Sequence, residues 1–179
     1  APWITPERPV SHPTFVRRFQ ARQGDARLYI TGLGLYEAYL NGHRVGEDLL
    51  TPGFTEYTSY VRYQTYDVTA LLREDNELQV TLGDGWYKGR FGLKGRTDIY
   101  GNRYLLAAEL RQNGRTLWQT DRQFEVWSSG FLSSGIYDGE CFDANIVPER
   151  LCGVEYAASF WAQYFATYIT EEDIAWIAA

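Results

Sequence analysis

The chain has 179 residues, with 17 Lys and Arg against 23 Asp and Glu, a formal net charge of −6, 45% hydrophobic and 22% charged residues. That balance fits one folded globular domain and excludes intrinsic disorder. The acidic charge argues against nucleic acid as a partner, because phosphate binding needs a Lys and Arg footprint.

The segment from about residue 14 to residue 140 reads as short strands separated by turns. Thr14 to Gln20 is the first. Asp25 to Gly32 alternates, with Leu28 and Ile30 on one face and Tyr29 and Thr31 on the other. Leu35 to Leu40 and His43 to Gly46 flank Asn41-Gly42, a dipeptide that accepts positive φ at both central positions of a type I′ hairpin turn. Tyr63 to Val68 follows, and Thr69 is placed to cap the apolar turn Ala70-Leu71-Leu72. Asn76 to Leu82 alternates cleanly. Arg103 to Arg111, Thr116 to Thr120 and Gln123 to Trp127 supply later strands, with Asn113-Gly114 as a second hairpin turn. Strands at this spacing, with no long helix between them, predict an all-β protein: an antiparallel jelly-roll or galactose-binding-like β-sandwich over residues 1–145.

Two stretches break the pattern. Between Gly83 and Asn102 the chain is rich in glycine and carries Trp86, Tyr87, Phe91 and Tyr100. A long connection of this kind in a compact domain is usually functional or mobile. In residues 146–179, Tyr156, Phe160, Tyr164 and Tyr168 recur every four residues, which predicts a short helical C-terminal appendage rather than an independent domain.

Aromatic residues reach 16% of the chain, with 14 Tyr, 9 Phe and 6 Trp. Such side chains favour strands and present an apolar face with a polar edge, which suits sugar rings and domain interfaces alike. The two cysteines, Cys141 and Cys152, are too few for a disulfide framework and read as two thiols or a single bridge. With two cysteines and only His12 and His43 as histidines, no zinc constellation or nucleophile-histidine arrangement is spelled out, and no cofactor is expected. No apolar run approaches the roughly 20 residues of a membrane span, so no membrane partner is expected. Ala1-Pro2-Trp3-Ile4 is not a signal peptide, which with the few cysteines points to the cytoplasm, the alternative being secretion with the signal peptide removed.

Read together, Leu28–Gly46, Leu49–Leu72, Asn76–Gly92 and Gly135–Ala144 resemble one family. Their order is TPGFTEY, then YDVT, then LGDGWY, then YDGECFDA. This closely resembles the N-terminal β-sandwich domain of bacterial α-L-rhamnosidases, glycoside hydrolases that release terminal L-rhamnose. The resemblance implies an accessory domain that serves rhamnose-containing glycosides and partners the catalytic domain of the same polypeptide. In that family the catalytic carboxylates lie on a separate (α/α)₆ barrel. No position here matches them, so no catalytic residue is carried over and the chain alone is expected to be inactive.

The candidate substrate-binding residues fall in two turns. Asp84, Trp86, Tyr87 and Arg90 supply an aromatic face with planar carboxylate and guanidinium groups, the set that contacts sugar C–H faces and vicinal hydroxyls. Tyr137, Asp138 and Glu140 form an acidic turn that would line a substrate approach. The bland alternatives are that Trp86 plugs the core, that Arg90 pairs with Asp84, and that the acids cap backbone amides. Interdomain packing, with no sugar affinity, is the competing function. Asp98, Tyr100 and Asn102 would extend the rim, while Lys88, Lys94 and Arg96 read as solvated charges.

Overall fold

The computed structural model describes residues 1–157. Thirteen strands and one helical turn follow in order: β1 (Ile4–Pro6), β2 (Thr14–Gln20), β3 (Ala26–Leu33), β4 (Leu35–Leu40), β5 (His43–Arg44), β6 (Gln64–Asp67), β7 (Asp75–Gly83), α1 (Gly85–Lys88), β8 (Leu105–Gln112), β9 (Arg115–Gln119), β10 (Glu125–Trp127), β11 (Phe131–Gly135), β12 (Gly139–Phe142) and β13 (Arg150–Tyr156). The alternation legible in the sequence sets the faces. Asn76, Leu78, Val80 and Leu82 of β7 point inward, and Ala26, Leu28 and Ile30 of β3 do the same. Leu78, Val80 and Leu82 meet Ala26, Leu28 and Ile30 in one core with Phe15, Ala38, Leu106, Leu110 and Val126. Burying a side chain of this size stabilises by about 1.5–3 kcal/mol, which is what holds the two layers together.

One layer runs β6-β3-β8-β1, with β9 on the far side of β8, and the other runs β5-β4-β7-β2-β10. All pairings are antiparallel, as the jelly-roll reading requires. The layers are joined by β13. Its first half pairs β10, with Cys152 opposite Val126, and its second half pairs β1, with Tyr156 opposite Ile4.

This strand corrects the expected helix and the boundary at residue 145. Arg150–Tyr156 is extended, and the sandwich runs at least to Tyr156. The unpaired edges of β1 and β10 explain it: a strand satisfies both ladders, whereas a helix would leave their backbone groups unbonded. The remainder of the expected helix, with Phe160, Tyr164 and Tyr168, lies outside the described residues.

The turns behave as their residues dictate, with one exception. Asn41 and Gly42 take φ of 54° and 80°, and Asn113 and Gly114 take 50° and 75°. Asn41 also ties three segments together, donating to Leu71 O at 2.8 Å and Asn76 Oδ1 at 2.9 Å and accepting from Glu77 N at 2.9 Å. The exception is Thr69. It does not cap the 3₁₀ turn Thr69–Leu71; its hydroxyl accepts from Ala26 N at 2.9 Å, and its own N–H donates to Asp67 Oδ1 at 3.0 Å. The local role expected of Thr69 passes to Asp67, because the Thr69 hydroxyl is spent on closing the end of β3.

Candidate functional site

The glycine-rich connection is ordered around α1. Strand β7 ends at Gly83, opposite Leu35 of β4, and the chain must then turn sharply. Gly85 makes the turn with φ of +54°, and a Cβ there would come within 2.5 Å of Leu35 Cγ. Lys88 N–H then donates to Asp84 O at 3.1 Å, closing a single helical turn. Helical spacing sends the side chains of this segment three ways. Tyr87 goes inward, Asp84 and Lys88 toward Tyr104, and Trp86 toward Phe54, while Arg90 lies beyond the helix and reaches Asp138.

Tyr87 is 2% exposed and packs with Leu33, Tyr57 and Leu105. It is closed to any ligand, which corrects its place among the substrate-binding candidates. The residue type suited both roles, and the one-turn helix decides between them by aiming it at the core.

Trp86 is half-buried at the border of an aromatic cluster. Its ring meets Phe54 edge-on at 6.1 Å, and Phe54 stacks on Phe91 at 5.6 Å with 25° between the planes. Tyr100 closes the cluster against Tyr57 at 5.0 Å. Phe54 is 43% exposed, so the cluster reaches the surface. Phe54 was missed as a candidate because it sits in a turn motif some thirty residues before Trp86, and only the fold brings the two together.

Arg90 does not pair with Asp84. It forms a two-pronged pair with Asp138, Nε to Oδ1 at 3.0 Å and to Oδ2 at 3.1 Å, with a further bond to Oδ1 at 2.7 Å. The guanidinium also lies 5.7 Å from the Tyr137 ring centroid. This beside-the-carboxylate cation holds Asp138 below the usual carboxylate range. Asp138 sits at the tip of the β11–β12 hairpin, where Gly135 pairs with Gly139 and Gly139 turns with φ of 75°. Glu140 is exposed on the same hairpin, opposite Ser134. Six of the seven expected substrate-binding residues, all but Tyr87, are therefore exposed or half-buried, and Arg90 joins the two turns that carry them.

Asp84 faces away from this rim. It accepts from the Tyr104 hydroxyl, its Oδ2 lies 3.5 Å from His12 Nε2, and its backbone N–H donates to Ser134 Oγ at 2.9 Å. Burial pushes its pKa up, but the His12 and Tyr104 contacts and the Lys88 charge outweigh that and hold it below the usual carboxylate range. Burial and the Asp84 charge push the Tyr104 hydroxyl far up, so it stays a donor. Lys88 is not a solvated charge: it bonds Asp98 Oδ1 and Asn102 O, each at 3.1 Å, and lies 4.9 Å from the Tyr104 ring centroid. His12, Tyr104 and Ser134 were invisible as Asp84 partners, since each arrives from a different strand end.

A group whose pKa is lowered in the fold stabilises above its unfolded value and loses that contribution as pH falls through the folded one. Replacing Asp84→Asn is therefore expected to destabilise above pH 5, with the gap to wild type shrinking below about pH 4, the ordinary Asp range. Urea midpoints at each pH measure this, and a gap independent of pH would contradict the assignment of Asp84 as a fixed anion.

Cys141 and Cys152 are unbridged thiols. Among the described residues no group of three or more His, Cys, Asp or Glu side chains converges as a metal site, and no helix is long and apolar enough to cross a membrane.

Residues 21–175 match the family described as the α-L-rhamnosidase N-terminal domain. The chain belongs to that family. This rhamnosidase N-terminal domain is 44% identical over 124 residues to an α-L-rhamnosidase of Streptomyces avermitilis, covering 66% of this chain and 12% of that protein. It is 34% identical over 145 residues to one of Alteromonas sp., covering 76% of this chain and 16% of the relative. The chain thus spans about an eighth to a sixth of the length of these curated relatives. In solved structures, the S. avermitilis α-L-rhamnosidase complexed with L-rhamnose superposes with a TM-score of 0.73 at 34% identity, over 82% of this chain and 16% of that one. The Aspergillus terreus α-L-rhamnosidase gives 0.77 at 31% identity, over 97% of this chain and 22% of that one.

Proposed function

We propose that this α-L-rhamnosidase N-terminal domain is a non-catalytic module that contacts rhamnose-containing glycosides through the rim of Trp86, Arg90, Tyr137, Asp138 and Glu140 and presents them to a catalytic domain of the same polypeptide. The observation that carries the reading is the Arg90–Asp138 pair, which brings together two turns separated by 48 residues on one exposed face. That face combines an aromatic border with planar polar groups, the chemistry that recognises a sugar ring. The likeness to a rhamnosidase solved with L-rhamnose supplies the ligand class.

A second reading makes the same face a purely interdomain surface. The exposed apolar side chains Leu50, Phe54, Leu93 and Ile99 favour it, since exposed apolar area is what a contact with another domain buries. Titration with L-rhamnose, followed by amide shifts, separates the two. Sugar contact is expected to move the amides of Trp86, Arg90 and Asp138, and Trp86→Ala is expected to weaken binding about tenfold, the equivalent of 1.4 kcal/mol. No shift at tens of millimolar sugar, with concentration-dependent self-association, would replace it with the interdomain reading.

A further inference from the structure

Beside the rim, on the Asp84 and Lys88 side of α1, lies a cleft of about 700 Å³ between the N-terminal residues Thr5 to His12 and the β11 strand. Its size is that of small-molecule sites, which run from about 300 to 1,000 Å³. Its charged lining balances, with Arg8, Lys88 and Arg103 against Glu7, Asp84 and Glu155. Arg103 is committed to Glu155, and Lys88 to Asp98. A lining whose charges balance selects neither an anion nor a cation and suits a neutral ligand rich in hydroxyls.

In the wall of the cleft His12 Nε2 is turned to Asp84 Oδ2 at 3.5 Å, and the Thr5 hydroxyl is buried without a hydrogen-bond partner. Asp84 adds a carboxylate fixed from behind by His12 and Tyr104, with 25% of its side chain still exposed. The lining aromatic ring, Tyr104, is 5% exposed and has Lys88 over it, so recognition here would proceed by hydrogen bonds rather than by stacking.

The cleft and the rim share both of their walls. Asp84 and Lys88 line the cleft on the segment from which Arg90 reaches Asp138, and Leu132 and Ser133 line it on the hairpin whose tip carries Tyr137 and Asp138. We propose that the cleft is a second saccharide subsite continuous with the rim across α1, so that the domain binds a saccharide of at least two rings rather than a lone monosaccharide. The inference rests on the rim reading given above. The terminal rhamnose occupies the rim, and the next sugar donates its hydroxyls to Asp84 and accepts from the Asn102 amide and the Ser133 hydroxyl.

The test compares two probes on the same chain, L-rhamnose and a rhamnosyl-glucose disaccharide, by amide shifts and by affinity. The expected result is that rhamnose moves only rim amides (Arg90, Asp138), whereas the disaccharide also moves Asn102 and Ser133 and binds about tenfold more tightly, a gain of 1.4 kcal/mol. Ser133→Trp, which fills the cleft, and Ser133→Ala, which removes its hydroxyl, are expected to abolish and to reduce that gain respectively, while leaving rhamnose affinity unchanged. Equal affinities, with rim amides moving for both probes and cleft amides for neither, would overturn the second subsite and leave the rim standing. Cleft shifts without rim shifts would overturn the rim and, with it, a two-ring site that spans α1. No shift with either probe would overturn both.

Discussion

Tyr87→Ala is expected to lower the unfolding free energy by about 3–5 kcal/mol, the range for deleting a buried aromatic ring. The ring is sealed at 2% exposure and meets Tyr57 edge-on at 5.3 Å with 71° between the planes. Gly101 lies directly against it, so close that a Cβ there would strike the Tyr87 hydroxyl. The contact leaves little room for the site to collapse around a shortened side chain, and a cavity that cannot collapse gives the larger penalties. The neighbouring Trp86→Ala, at the half-buried border of the same cluster, is expected to cost less than half as much. Urea denaturation of both variants checks the order. A Tyr87→Ala loss no larger than that of Trp86→Ala would mean that α1 does not aim Tyr87 at the core.

The second large effect is expected at Asp121. Arg17 points into the core at 5% exposure, its guanidinium 5.7 Å from the Trp118 ring centroid and 5.5 Å from that of Phe124. Asp121 is its anionic partner, and Arg17 Nε has no partner of its own. Asp121→Ala strands a buried cation and is expected to cost about 3 kcal/mol, the low end for a broken buried ion pair, because the Asp121 side chain is partly open to water. Adding Arg17→Leu removes the stranded charge and is expected to recover part of that loss. A double variant less stable than Asp121→Ala alone would show that Arg17 stabilises through its stacking rather than through the pair.

Strands were legible wherever one face is buried and the other is not. Asn76 to Leu82 and Ala26 to Ile30 alternate because each lies on a two-faced sheet. The turn at Asn41-Gly42 was legible because positive φ selects those residues. Strand β13 was not. Only Val154 within it is fully buried, so it carries little alternation, and the four-residue aromatic spacing that begins at Tyr156 drew the reading toward a helix. The candidate turns were legible as residue types, but their joining was not: the Arg90–Asp138 pair and the Asp84 contacts with His12 and Tyr104 depend on strand ends that only the completed fold brings together. Tyr87 had the right chemistry for a sugar and the wrong direction, and direction is set by the turn that Gly85 permits.

Because β13 is the rung shared by both layers, the first of the described strands waits for the last of them. Ile4 pairs with Tyr156, the widest sequence separation in the ladder. A nascent chain lacking the 150s would hold two half-sheets whose open margins at β1 and β10 can recruit foreign strands. Closure of the sandwich therefore waits until the 150s are made, and the most non-local pairing among the described residues governs how quickly the two layers join.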